Sequence, residues 1–183
     1  MFNVKKLAFV GATLLGLSVV GAMAQPIIVS ADIERAIALS KAGKNMNDQV
    51  EKMTKGVQGT VDKVQKDLQK EAEKLEEQKN LMAADALQVK REELRLKQIT
   101  KQQEISKDAR AIQAGAQNAL KEIAEVAVAE LKTLAKEKNA DIVLRREATY
   151  IVEPKSDLTD ELVERINKKI TSVKVTPVEP KNN

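Results

Sequence analysis

The 183-residue chain has no cysteine, no histidine and no tryptophan, and only one tyrosine and two phenylalanines. Without histidine or cysteine there can be no Ser-His or Cys-His nucleophilic site, no Cys/His zinc site, no haem held by either residue and no disulfide. Aromatic poverty removes two further classes. Single-stranded nucleic acid is held by stacking bases on several rings, and small-molecule pockets are commonly lined by them. Here Phe2 and Phe9 both lie at the extreme N-terminus, which leaves Tyr150 as the sole ring beyond it. No Gly-x-x-x-x-Gly-Lys-Ser/Thr phosphate loop occurs, and Gly43-Lys44 alone is a weak match to one. Carboxylates are plentiful but spread along helical surfaces, where i,i+4 pairing with lysine is their ordinary use. The reading is of a non-enzyme, with no catalytic, cofactor-binding or metal-ligating residue to assign.

What is present begins with a leader. Asn3-Val4-Lys5-Lys6, the uncharged run Leu7 to Val20 and the ending Ala22-Met23-Ala24 have the charged, apolar and small-residue regions of a secretory signal peptide. Cleavage is expected between Ala24 and Gln25, which makes the mature protein an exported one. The competing reading is an uncleaved anchor from Leu7 to Ala24, a length that just reaches a membrane span. Losing Lys5 and Lys6 with the leader lowers the formal net charge from +4 to +2, so charge gives little support for a nucleic-acid partner.

The middle of the chain carries an eleven-residue apolar repeat. Met46, Val50 and Met53 recur as Val57, Val61 and Val64, then as Leu68, Ala72 and Leu75. Ile105, Ala109 and Ile112 recur as Ala116, Leu120 and Ile123, then as Ala127, Leu131 and Leu134. A period near 3.67 residues per turn keeps one stripe facing a partner helix with little supercoil. Residues 80–85 mark a reversal, and folding about residue 83 gives an antiparallel helical hairpin with an arm over 45–121, roughly 55 Å long at about 1.5 Å per residue. Met46, Met53 and Met82 read as core fillers.

The two ends of the mature chain read differently. "PIIVSAD" at 26–32 is a strand. Ile142-Val143-Leu144 and Tyr150-Ile151-Val152 read as a small β-hairpin, followed by a short helix from Asp160 to Ile170 with Thr159 as its N-cap and Leu158 and Val163 as a hydrophobic staple. Residues 25–44 and 122–171 then form a small body, and 172–183, with Pro177 and Pro180, form a disordered tail. The fold class is mostly α with a small β body: a long antiparallel helical hairpin, a coiled-coil tentacle, attached to a short-stranded β oligomerisation core. Three short strands and one ring are a poor core for one chain, so self-association is expected to supply the missing burial through Ile27, Val29, Ile142, Leu144, Tyr150 and Ile151.

This order of elements, with "IIVSADIERAIALSKAGK" at 27–44 and "ADIVLRREATYIVEPKSDLTDELVERINKKI" at 140–170, resembles the Skp (OmpH-like) family of periplasmic chaperones. The resemblance implies a homotrimer whose strands share one body, with arms enclosing unfolded outer-membrane β-barrel proteins without ATP. It leaves a contact with lipopolysaccharide or the membrane surface open. The arms depart from the family's basic character, because residues 45–125 hold 15 basic and 15 acidic side chains. Cations gather only at Lys90, Arg91, Arg95, Lys97 and Lys101, read either as a client-binding patch or as a solvated face of i,i+4 pairs. Gly56, Gly59 and Gly115 fall at similar heights on the two arms and are candidates for a hinge, against simple tolerance or a close helix contact. The alternative function is a structural coiled-coil envelope protein that holds no client.

Overall fold

The computed structural model describes residues 25–179, so the expected leader (1–24) and the last four residues lie outside it. Strand β1 (Ile28–Ala31) leads into helix α1 (Ile33–Leu39), then into α2 (Lys41–Gln78), a single 3₁₀ turn (Lys79–Leu81) and α3 (Ala84–Glu137). Strand β2 (Ile142–Arg145) and helix α4 (Thr159–Lys169) follow, with short 3₁₀ turns at Arg146–Ala148 and Pro154–Ser156.

Each helix boundary has a local cause. Asp32 caps α1, its Oδ1 accepting from the Arg35 N–H at 2.7 Å. Ser40 breaks α1 from α2: its hydroxyl donates to the Ile37 carbonyl at 2.7 Å and accepts from the Gly43 N–H at 3.0 Å. Gly43 is required at this kink, because a Cβ there would sit 2.0 Å from the Ile37 carbonyl oxygen. Helix α3 ends in a Schellman motif. Asn139 takes φ 51°, the Ala140 N–H returns to the Ala135 carbonyl at 2.9 Å and the Asn139 N–H to Lys136 at 3.0 Å.

The arms are α2 and the first half of α3. Eight of the nine repeat positions from Met46 to Leu75 are half-buried, Ala72 alone being exposed. On α3 the stripe is displaced: Ala109 and Leu120 are exposed, while Gly115 and Ala119 turn inward. Glu71 and Lys97 pair across the arm, equidistant from residue 84 and one residue from the expected centre. At about 1.5 Å per residue, the 38 residues of α2 span about 57 Å and the 54 of α3 about 81 Å. The second helix therefore continues into the body.

There it meets α1 and α4, and β1 joins the same apolar cluster. Ile123, Leu134, Leu158, Leu162 and Ile166 are fully buried together with Ala36 and Ala127, each large side chain contributing about 1.5–3 kcal/mol on leaving water. Charge pairs fasten α4 to α3: Arg165 forks onto Glu137, Lys138 meets Glu161 at 2.8 Å and Lys169 approaches Glu130 at 3.6 Å.

Three expectations are corrected. The hairpin of 142–144 with 150–152 does not form. Instead β2 pairs in parallel with β1, in the register Ile28↔Ile142 to Ala31↔Arg145, and Ser30 is bridged on β1's other side by Asp157, with the Leu158 N–H reaching the Ser30 carbonyl at 2.8 Å. Residues around Tyr150 and Ile151 are irregular: β1 takes 142–145 on one edge and 157–158 on the other, and 150–152 do not pair with the free edge of β2. The N-cap of α4 is Leu158, not Thr159, and its side chain makes no capping bond; Asp157, just before it, closes the helix entry instead. Asp157 Oδ1 accepts from the Thr159 N–H at 3.0 Å and from its hydroxyl at 2.6 Å, while Thr159 Oγ1 accepts from the Asp32 N–H at 3.0 Å.

The third correction concerns the tail. Residues 171–179 lie along the base of the arms with Val173 and Val175 buried in the core cluster, so this part of the expected disordered run is packed, while 180–183, with Pro180, lie outside the described residues.

Candidate functional site

Three surfaces could carry function, and each follows from how the elements meet. The first is the outer side of the sheet. Every residue of β2 is exposed, and among the described residues no strand covers its outer edge. Ile27, Ile28, Ile142, Val143 and Leu144 make an apolar surface there, with Tyr150 and Ile151 projecting beside it at 103% and 91% exposure. Of the six expected association residues only Val29 is buried within the chain; the other five are displayed. A bare apolar strand edge is a template for pairing with another chain.

The second is a cleft of about 560 Å³ between α1, α2 and α3. Ile33, Ile37, Met46, Leu120 and Ala124 line it, and Glu34 and Arg145 form a 3.7 Å ion pair at its rim. Sequence reading missed this cleft because it depends on Leu120 leaving the arm seam, a displacement of the stripe that no repeat count reveals.

The third is the arm itself. The expected cationic patch is largely neutralised: Lys90 pairs with Glu93 at 2.8 Å, Arg95 with Glu92 at 2.6 Å, Lys101 with Glu104 at 2.7 Å, and Lys97 with Glu71 across the arm. Arg91 makes no ion pair among the described residues. The Arg95 hydrogen bond holds the Glu92 carboxyl below its usual range. Lys79 does the same to Glu76 through a hydrogen bond and its charge, with Arg91 adding a smaller effect. Four of the five cations thus sit on the solvated, paired face.

The three candidate hinge glycines separate. Gly56 and Gly59 face open space, whereas a Cβ on Gly115 would meet the Thr176 carbonyl oxygen at 2.3 Å. Gly115 is therefore where the tail crosses α3, and it has a packing role that the arm-hinge reading lacks. Gln49 completes that crossing: its Nε2 donates to the Val173 carbonyl at 2.6 Å and its Oε1 accepts from the Val175 N–H at 3.1 Å. A period-two run, Val173-x-Val175, was the available sequence signal for this strap.

Among the described residues no helix is long and apolar enough to cross a membrane, and no group of three or more Asp and Glu could hold a metal ion. No curated protein matches the sequence. A solved structure of a "putative outer membrane chaperone (OmpH-like)" from Caulobacter crescentus CB15 matches with a TM-score of 0.80 at 21% identity, covering 96% of this chain and 99% of that one. The family model for outer membrane protein (OmpH-like) matches residues 28–166, the whole run from β1 through the arms to α4. The chain belongs to the OmpH-like outer membrane protein family.

Proposed function

We propose that the chain is an ATP-independent holdase chaperone of the periplasm, which keeps unfolded outer-membrane β-barrel proteins from aggregating by surrounding them with its arms. The observation that carries this reading is the OmpH-like match across residues 28–166 on a chain whose two-helix arm extends well beyond its small body. Many weak contacts along a long arm suit an unfolded client, since no single pocket has to be filled and the client keeps much of its conformational entropy.

Self-association is part of the proposal. The uncovered β2 edge, Tyr150 and Ile151 support assembly of several chains through their bodies, and the number three comes from the family resemblance. Ile142→Asp should dissociate the assembly in sedimentation, because an unpaired charge would be buried at the joint. Export as a mature chain beginning at Gln25 belongs to the same proposal and is read directly by mass spectrometry of the periplasmic form.

The test of function dilutes a denatured outer-membrane barrel protein into buffer without nucleotide and follows light scattering. Stoichiometric oligomer should suppress the scattering. Aggregation at the same rate with and without a molar excess would replace the chaperone by an inert envelope spacer.

A further inference from the structure

We propose that the groove between α2 and α3 at the base of the arm is a binding site for an extended peptide with apolar residues at alternate positions, and that residues 171–179 are its resident occupant, displaced when a client strand of that pattern enters. The proposal rests on the chaperone reading for the identity of the incoming peptide, and on the structure for the site.

Contacts along the tail fix its conformation. Thr176 lies at Gly115, the Val178 N–H donates to the Ala111 carbonyl at 3.0 Å, and Glu179 pairs with Lys107 at 2.7 Å. Two tail residues, from Thr176 to Val178, advance by one turn of α3, about 6 Å, which is the spacing of an extended chain. Its side chains alternate accordingly. Val173 and Val175 are buried in the cluster with Ala119 and Ile123, while Lys174 and Thr176 are exposed.

The groove reads this peptide chiefly through its backbone. The Gln49 side-chain amide bonds the carbonyl of one residue and the N–H of the second one on, much as a neighbouring strand would, and Asn45 Oδ1 accepts from the same Nε2 at 2.7 Å and orients it. Gly115 lets the backbone approach α3 where any Cβ would block it. Apart from the exposed Lys107–Glu179 pair, nothing in this set depends on the tail's own side chains beyond their alternation. A membrane β-strand alternates apolar and polar residues with the same period, so its segments meet the same requirements.

The experiment uses the full chain and a fluorescent synthetic peptide with the sequence of residues 171–179. A resident occupant lowers the apparent affinity for an added one by the fraction of open sites, so the double variant Val173→Ser/Val175→Ser, whose own tail is loosened, should bind the peptide at least about tenfold more tightly than the unaltered chain. Adding Gly115→Val to that variant should abolish the gain. Equal binding by the unaltered and loosened chains would overturn the proposal. A second measurement needs no variant: when a barrel client binds, amide exchange at Val175 and Val178 should accelerate at least tenfold, and client binding with unchanged exchange there would overturn displacement. The peptide arm contains no client, so its failure leaves the holdase reading standing, and failure of the aggregation assay leaves the peptide result standing.

Discussion

The two halves of α3 are made of the same helix and do opposite things. From Ala111 to Leu134 it presents eight buried residues to α1, α2, α4 and the strap. From Ala84 to Thr100 it buries none, and Leu87 and Leu94 are merely half-covered while Val89 is 57% exposed and Leu81, at the turn, 87%. Burial depends on how many elements converge. One helix against one partner covers a narrow stripe, whereas a helix met on several sides closes a core. Cooperative stability therefore belongs to the body, and the far arm is left to open at low cost.

The sharpest way to break this contrast is truncation in each half. Ile123→Ala or Leu162→Ala should cost about 2–5 kcal/mol, since both sites are fully enclosed, while Leu87→Ala or Leu94→Ala should cost about 1 kcal/mol or less. Urea unfolding at one fixed protein concentration gives the comparison, and equal costs would erase it.

Glycines sharpen it next. Gly43→Ala and Gly115→Ala force a Cβ into backbone and should destabilise by about 1–3 kcal/mol. Gly56→Ala and Gly59→Ala enter open space and should each stabilise the arm by up to about 1 kcal/mol, since alanine is the better helix former. If those two also narrow the range of client sizes held, the arm bends there.

Acid should cost the body more than the arm, because Asp157 is partly enclosed while the paired arm carboxylates are solvated. Burial pushes the Asp157 carboxyl up, but the hydrogen bonds from Thr159 and the nearby Arg146 outweigh it and leave the group below its ordinary value. A carboxyl lowered on folding contributes stability above its unfolded value and loses it as pH falls through the folded one, so the entry to α4 should weaken below about pH 4. Asp157→Asn should flatten that part of the pH profile in thermal unfolding. Replacing Lys90, Arg91, Arg95, Lys97 and Lys101 together by Gln should have the smallest effect on stability, because exposed pairs contribute little. Any loss of client capture should appear at low salt, where charges are not yet screened within about 10 Å.

The arm was legible in the sequence because its stripe is local: Met46 to Leu75 repeat along one helix, and the opposing helix follows from the reversal. The body was legible in outline only. Ile142-Val143-Leu144 announces a strand, but its partner at Ile28 lies more than a hundred residues away, and a nearby apolar run at Tyr150 made a hairpin the economical reading. The strap was hidden by its prolines and by Gly115, whose meaning depends on a segment sixty residues further on. In each case the missing term was a long-range contact that changes which surface a residue faces.

The central claim is that the body holds the chains together and the arms hold the client. Amide exchange of the full-length assembly, with and without a bound unfolded barrel protein, tests it most directly. Protection should rise along 57–110 when client binds and stay unchanged at Ile123, Leu134, Leu162 and Ile166. Client-dependent protection confined to the body, with arms exchanging as before, would contradict the account.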